Sequence, residues 1–474
     1  MTLDLTTVPT VDPRAAMLRG MAGGTIHLPG DAGYEQARLP WNVAVDQRPA
    51  AVALPTTPRE VSQVVTLARE AGLRVAPQST GHNAGPLAAQ GLDDVVVVRT
   101  SRMARVGVDP RRRIARVEGG ALWLPAVEAA AEHGLATLHG SSPDVGIAGY
   151  SLGGGLGWYA RKLGLATNSL TAVEVVLADG SLVRADAHRN RELFWALRGG
   201  GGSFGVVTAL EFRLYPVSTA YAGMLVWDVA DTERVLRRWA QWAPDAPDEV
   251  TTAFRVLRVP PLPEVPAPLR GRSLVVVDGA VLGSDTWSES VLMGLRELRP
   301  EVDTFARVPA RTLSRLHMDP EGPTPAVSGT SLLGDLPDAG VDAFVDAVGP
   351  DSTTSLLAAE LRQLGGAVGR PHPGGGVLDR IDAAYALFGV AVAPDAESGA
   401  RGRADAGRLV AALGGHATGR TYLNFAEDAV DPRTGYADDR WLQLTGIRTA
   451  VDPDGVFVGN HRVPRLYEGG RPTA

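Results

Sequence analysis

One histidine stands in a loop of small residues, Gln78-Ser79-Thr80-Gly81-His82-Asn83-Ala84-Gly85. About sixty residues later the chain carries a glycine ladder, Gly146-Ile147-Ala148-Gly149-Tyr150-Ser151-Leu152-Gly153-Gly154-Gly155-Leu156-Gly157. Small side chains keep Cβ atoms clear, so backbone N–H groups can close on a flat or phosphorylated ligand while the imidazole is aimed into the same space. The pair reads as the cradle of a flavin. An isolated histidine in a turn is most often a structural residue. What moves His82 toward ligand contact is its place directly after a strand of a βαβ unit, where ligands usually lie.

Two competing motifs share one stretch. Gly200, Gly202 and Gly205 satisfy the dinucleotide fingerprint G-x-G-x-x-G, and Gly201 to Gly205 satisfies the hydrolase elbow G-x-S-x-G around Ser203. Both motifs need a strand before the glycines and a helix after them. Here Glu192 to Arg198 reads as helix and Val206 to Phe212 as strand, so the order is reversed and a glycine turn touching a ligand is the better reading. Further on, Tyr422 and Asn424 flank Leu423 in a segment, Arg420 to Phe425, that reads as a strand; both would then face one side, as a polar catalytic face or as an ordinary hydrogen-bonded tyrosine.

These groups need elements to position them. Ala51 to Leu54 reads as a strand, Thr57-Pro58-Arg59-Glu60 as a helix start, and Val61, Val64, Val65 and Ala68 as the buried stripe of a helix over Pro58 to Ala71. Gly72 ends it before the strand Arg74 to Ala76. Val95 to Val98 is another strand, Arg105 to Val108 and Ile114 to Val117 a hairpin whose turn starts with Asp109-Pro110, and Leu124 to His133 a helix. Ala172 to Leu177 and Ser181 to Arg184 form a second hairpin around Asp179-Gly180. After Pro216 comes a proline-rich stretch, Val259 to Pro266, then a strand at Leu274 to Val277 and a helix starting near Asp338; Thr353 and Thr354 stay unassigned. The organisation is α+β, in two domains.

Composition narrows the chemistry. The 474 residues carry 46 basic and 53 acidic side chains, a net charge of -7, without the positive stripe a nucleic-acid binder needs. With no cysteine, thiolate catalysis, disulfides, cysteine zinc sites and iron–sulfur clusters are excluded, and no metal site is expected. Met1 to Gly30 lacks a basic patch followed by an apolar core, and apolar runs such as Leu274 to Val277 are too short to cross a bilayer, so a soluble cytoplasmic protein is expected. Oligomeric state is not legible in the sequence.

At this point the residues resemble the FAD-linked oxidases of the vanillyl-alcohol oxidase type, which have a PCMH-type FAD-binding domain, and in particular their berberine-bridge-enzyme-like branch. The likeness runs through Trp41, the Pro58 helix, Gln78 to Gly85, Ser142 to Gly157, Arg161 to Asn168, Phe194 to Val207, Tyr422 to Phe425, Asp452 to Phe457 and Asn460-His461. It implies a two-part FAD-binding domain, residues 1–216 and 418–474, enclosing a substrate domain on an antiparallel sheet, 217–417, with the active site at the junction.

By that resemblance His82 is bonded to the flavin 8α carbon, within a pyrophosphate-wrapping loop that includes Gln78, Ser79, Thr80, Gly81 and Asn83. Ser142 stands where many members carry a second, cysteine link, so a single link and a weaker oxidant are implied. Gln78 and Tyr150 replace an arginine and a histidine more common there. Gly146, Gly149, Gly154, Asn168, Val207 and Asn460 are the further cofactor contacts implied, and Val145 marks the place where a valine admits oxygen. Tyr422 matches the catalytic tyrosine, a base that needs a partner the sequence does not name; Tyr150 and Tyr159 are lesser candidates for the active-site wall. The implied activity is O2-dependent oxidation of an alcohol, or a related C–H centre, of a carbohydrate or secondary metabolite. An FAD dehydrogenase, a flavin-dependent cyclase and a flavin-binding protein without chemistry are the alternatives, with a serine hydrolase at Ser203 a remote one.

Overall fold

The computed structural model describes residues 11–22, 25–261, 263, 267, 269–468 and 471–472; the expectations for Met1 to Thr10 and for much of the proline-rich stretch, 262 and 264–266, lie outside the described residues.

The first layer grows from the expected βαβ unit. Thr57 caps the helix Pro58–Glu70 by accepting the Glu60 N–H, and Val61, Val64, Val65 and Ala68 are its buried stripe. The flanking strands Ala51–Ala53 and Arg74–Gln78 are parallel but do not touch. Val95–Arg99 runs between them, pairing Val52 and Ala76 with Val97 on either side. An unbroken valine run buried on both faces suits that central place. Ile26–His27 closes the edge antiparallel to Ala51–Ala53.

An antiparallel five-stranded sheet follows, in the order Val106–Asp109, Ile114–Glu118, Val206–Arg213, Leu170–Val176, Leu182–Asp186. Both hairpins read from the sequence are in it. The helices Trp123–Ala131 and Ile147–Leu152 pack against it through Trp123, Ala126, Ile147 and Leu152.

The third sheet is antiparallel and eight-stranded. Its path runs Val302–Asp303, Thr219–Asp228, Ser273–Val281, Val250–Arg258, Ala358–Gln363, Tyr385–Val392, Ala326–Leu333, with Ala306–Pro309 beside Thr219–Asp228. Side chains alternate across a strand. Phe254, Val256, Ala359 and Leu361 enter the core shared with the helices Thr232–Trp242, Asp338–Val348 and Ala396–Ala412. Their neighbours Arg255, Leu257, Glu360 and Arg362 therefore face the opposite side, toward the first two sheets.

The expected strand at Arg420 to Phe425 does not form. Tyr422 is extended, and Leu423–Phe425 is a single 3-10 turn. A strand needs a neighbour for its N–H and C=O groups. Here they are met locally, by Phe425 N–H donating to Tyr422 O (2.9 Å) and Ala426 N–H to Leu423 O (3.2 Å), while Asn83 Nδ2 also donates to Leu423 O.

The carboxyl-terminal segment returns to the first sheet. Val75 N–H donates to Val456 O (2.7 Å) and Val458 N–H to Val75 O (2.8 Å). Asp452 holds the turn: fully buried, it pairs with Arg448 and accepts the N–H groups of Val456 and Phe457, each at 2.8 Å. Removing one partner of a buried ion pair leaves an uncompensated charge, so Asp452→Ala should cost about 3–5 kcal/mol. Urea unfolding followed by far-UV circular dichroism checks this; a loss under 1 kcal/mol would mean the pair contributes no more than a surface one.

Candidate functional site

The three sheets enclose a cavity of about 1110 Å3. One wall is the loop Gln78 to Asn83, a second the ladder from Gly146 to Gly153 and the glycine turn Gly199 to Gly202, and a third the charged face of the eight-stranded sheet. The imidazole loop and the ladder thus meet, as their composition suggested. The fit is close: a Cβ on Gly146 would lie 2.5 Å from Ser79 Oγ, and one on Gly153 1.9 Å from Asn424 Oδ1.

His82 is held on several sides. Its ring stacks on Trp41, centroids 4.0 Å apart and 15° from parallel. Nδ1 lies 2.8 Å from Thr80 Oγ1, and Nε2 lies 3.7 Å from Asp144 Oδ1. Asp144 was not singled out from the sequence, because an acid in a serine–proline turn carries no motif. It accepts Trp41 Nε1–H (2.6 Å), Ser142 Oγ–H (2.8 Å) and Gly322 N–H (2.8 Å). Burial opposes its charge, but His82 and these donors outweigh that and hold the carboxyl well below the usual range. Ser142 commits its hydroxyl to this carboxylate.

Tyr422 lies at the other end, 2% exposed. Gly155 N–H (2.9 Å) and Asn424 Nδ2–H (3.3 Å) both donate to its phenol oxygen. Burial pushes the phenol up to about 12, against the pull of Asn424, the Gly155 N–H and the nearby Arg362 charge. These are the stabilising partners the sequence left unnamed. Although the strand is absent, Asn424 still reaches Tyr422, because the 3-10 turn folds it back onto Tyr150 O (2.9 Å) and the phenol.

Gln78, Ser79, Thr80, Gly81, His82, Asn83, Ser142, Val145, Gly146, Gly149, Tyr150, Val207, Tyr422 and Asn460 all line the cavity. Gly154 and Asn168 do not. Gly154 bends the chain at φ +124° behind Tyr422, and Asn168 turns away to donate to Asp379 O (2.8 Å), an anchor of the loop Gly375 to Asp379. Tyr159 is also a packing residue, buried with its hydroxyl on Ala310 O (3.4 Å). Tyr150 borders the cavity, but its ring fills the space over Gly140, Gly155 and Gly157, and its hydroxyl has no partner among the described residues. Burial first, then nearby Tyr422, raises its pKa well above the ordinary value, so its hydroxyl holds its proton. Ser203 is fully buried with its Oγ accepting Val463 N–H, between helix Arg191–Leu197 and strand Val206–Arg213, so it is no exposed nucleophile.

Could these walls hold a flavin dinucleotide? Ser79 Oγ, Gln78 Oε1 and Asn83 Oδ1 are buried polar atoms without hydrogen-bond partners among the described residues, and their residues all border the cavity. Buried polar groups are rarely left unpaired. A long, polar-edged ligand along this loop satisfies them, and the glycine-lined wall leaves room for a flat ring. The residues fit the group.

The FAD binding domain family matches residues 49–186, which contain the βαβ unit, His82 and the glycine ladder. This part of the chain is an FAD binding domain. It is 38% identical over 204 residues to the xylooligosaccharide oxidase of Thermothelomyces thermophilus, a stretch covering 42% of this chain and 41% of that protein. The (R)-6-hydroxynicotine oxidase of Paenarthrobacter nicotinovorans is 33% identical over 205 residues, 43% of this chain and 44% of the relative. The chain thus matches less than half the length of these curated relatives. The solved structure of wild-type BBE-like 1 from Physcomitrella patens superposes on 96% of the chain and 100% of its own, with a TM-score of 0.84 at 23% identity. The berberine-bridge-enzyme-like architecture implied by the motifs, mixed α+β, is the fold observed.

Proposed function

We propose that this protein is an FAD-dependent oxidase whose cofactor is bonded through His82 alone and whose substrate is an alcohol, or a related C–H centre, of a carbohydrate or secondary metabolite. When bound, FAD supplies the two-electron acceptor for the substrate carbon. Residues 1–216 and 418–474 form its site, and 217–417 the substrate wall.

The chain's own groups have distinct tasks. The Gln78 to Asn83 loop and the backbone at Gly146 and Gly149 hold the cofactor, with Val207 and Asn460 at the cavity's edges. Trp41 fixes the plane of His82. Asp144, facing Nε2, favours the proton there and leaves Nδ1, now against Thr80 Oγ1, as the ring nitrogen that would hold the cofactor. Tyr422 takes the hydroxyl proton of the substrate, its developing phenolate met by Gly155 N–H, Asn424 Nδ2–H and the Arg362 charge. Val145, on the cavity wall, leaves space for O2.

The observation that carries this reading is a buried phenol with two N–H donors aimed at it, in the same cavity as His82. The relatives' names add support: one is an oxidase named for xylooligosaccharide, the other for (R)-6-hydroxynicotine. The test is aerobic turnover of the holoenzyme on a panel of mono- and oligosaccharides and hydroxylated aromatics, with H2O2 measured against product. One H2O2 per product is expected. Turnover only with an artificial dye, with slow reoxidation of the reduced protein by O2, would make it a dehydrogenase.

A further inference from the structure

The charged face of the eight-stranded sheet holds more ionic groups than a base-positioning role needs. His317 Nδ1 meets Asp278 Oδ2 at 2.9 Å and its Nε2 meets Glu360 Oε2 at 3.2 Å, so both ring nitrogens face carboxylates and both carry protons. Arg255 pairs with Asp278 on one side, and Arg362 Nε–H donates to Glu360 Oε1 at 2.6 Å on the other. The result is a row of alternating charge, Arg255, Asp278, His317, Glu360, Arg362, with every member at most 9% exposed. Asp319, half-buried and bonded to Ser141 Oγ, lies near enough to favour the cationic forms of His317 and Arg362.

The donors of this row are unevenly used. Glu360 has one partner on each oxygen, and Arg255 reaches Asp278 and His317 O. Arg362 is bonded through Nε alone; its two terminal nitrogens have no hydrogen bond among the described residues, and the side chain borders the cavity. The guanidinium lies 5.3 Å from the Phe425 ring centroid and that ring is 5.0 Å from the Tyr422 ring, so one ring links the fork to the tyrosine, whose phenol feels the Arg362 charge. A guanidinium edge with two free parallel N–H donors matches one partner best, a planar carboxylate.

We infer that the substrate carries a carboxylate close to the carbon that is oxidised, directly attached as in a 2-hydroxy acid or across the ring oxygen as in a uronic acid oxidised at C1, and that Arg362 binds it in a two-pronged grip near Tyr422. This rests on the oxidase reading above. Glu360 holds Nε and so fixes the plane of the fork, while His317 and Asp278 fix Glu360 from behind. A neutral polyol would leave this geometry half used.

The test is a titration of the yellow holoenzyme, read by perturbation of its flavin absorbance, with two matched pairs: D-glucuronate against D-glucose, and D-lactate against propane-1,2-diol. A tenfold or greater preference for the acid in either pair is expected, reduced to near parity in Arg362→Gln and partly kept in Arg362→Lys. Equal binding of acid and neutral partner in both pairs of the wild type overturns the inference, as does a preference that survives in Arg362→Gln. The wild-type comparison stands even if the glutamine variant does not fold. A protein that purifies without flavin would instead sink the oxidase reading.

Discussion

Replacing Tyr422 with Phe should lower kcat/KM by about 10²- to 10⁴-fold, the usual contribution of a positioned general base, while the flavin stays in place. The ring packs in the cluster of Leu156, Leu165 and Ile381, and Phe preserves that packing. What it removes is the oxygen that accepts from Gly155 N–H and Asn424 Nδ2–H. The pH dependence separates this role from a structural one. A base must be deprotonated to act, and burial carries this phenol up to about 12. In the wild type kcat/KM should therefore climb with pH across the neutral and mildly alkaline range, approaching tenfold per unit, while the residual activity of Tyr422→Phe should be flat. Anaerobic stopped-flow bleaching of the flavin, run from pH 6 to 10, reads the step directly. A Phe variant within threefold of wild type would remove Tyr422 from the chemistry.

Asp144→Asn should slow covalent attachment of the flavin by about 10- to 100-fold, by analogy with the loss of the outer carboxylate partner of a metal-bound histidine. The carboxylate can accept from Trp41, Ser142 and Gly322 while still presenting negative charge to His82 Nε2. An amide cannot do so, and its own N–H₂ would oppose one of those donors. The imidazole then loses both its fixed tautomer and the field that favours charge building up as its other nitrogen forms a bond. The variant should still take up FAD, since the glycine wall and the Ser79 and Asn83 side chains are untouched. The measurement is in-gel flavin fluorescence after denaturation, as a time course on apoprotein mixed with FAD; attachment at the wild-type rate would dismiss Asp144 from the reaction.

Much of this site was legible because its parts are local. A helix cap and valine stripe gave the βαβ unit, and a histidine among small residues beyond its second strand pointed into the cavity. The turn around Ser203 could be rejected on element order alone. The strand assigned to Arg420 to Phe425 failed because alternation says nothing about whether a sheet edge is available, and here the peptide groups are satisfied within a turn. Gly154 and Asn168 lie off the cavity wall for a related reason: a glycine in a small-residue run can serve the bend behind the wall, and an asparagine can face either way.

The residues missed altogether, Asp144, Arg255, His317, Glu360 and Arg362, act through partners far along the chain. Glu360 meets His317 across 43 positions and Asp144 meets Trp41 across 103. No spacing rule reaches that far. The one signal present was Glu360 and Arg362 at strand spacing, which puts both on one face.

If the reading is right, a flavin lies in this cavity joined to His82. That link is tested most directly by acid precipitation of the purified protein, with the visible spectrum recorded before and after. A yellow protein whose colour stays in the washed pellet is expected, with a His82→Ala variant whose colour passes to the supernatant. A pellet equally yellow in the alanine variant, or a wild type left colourless after expression with added riboflavin, would contradict it.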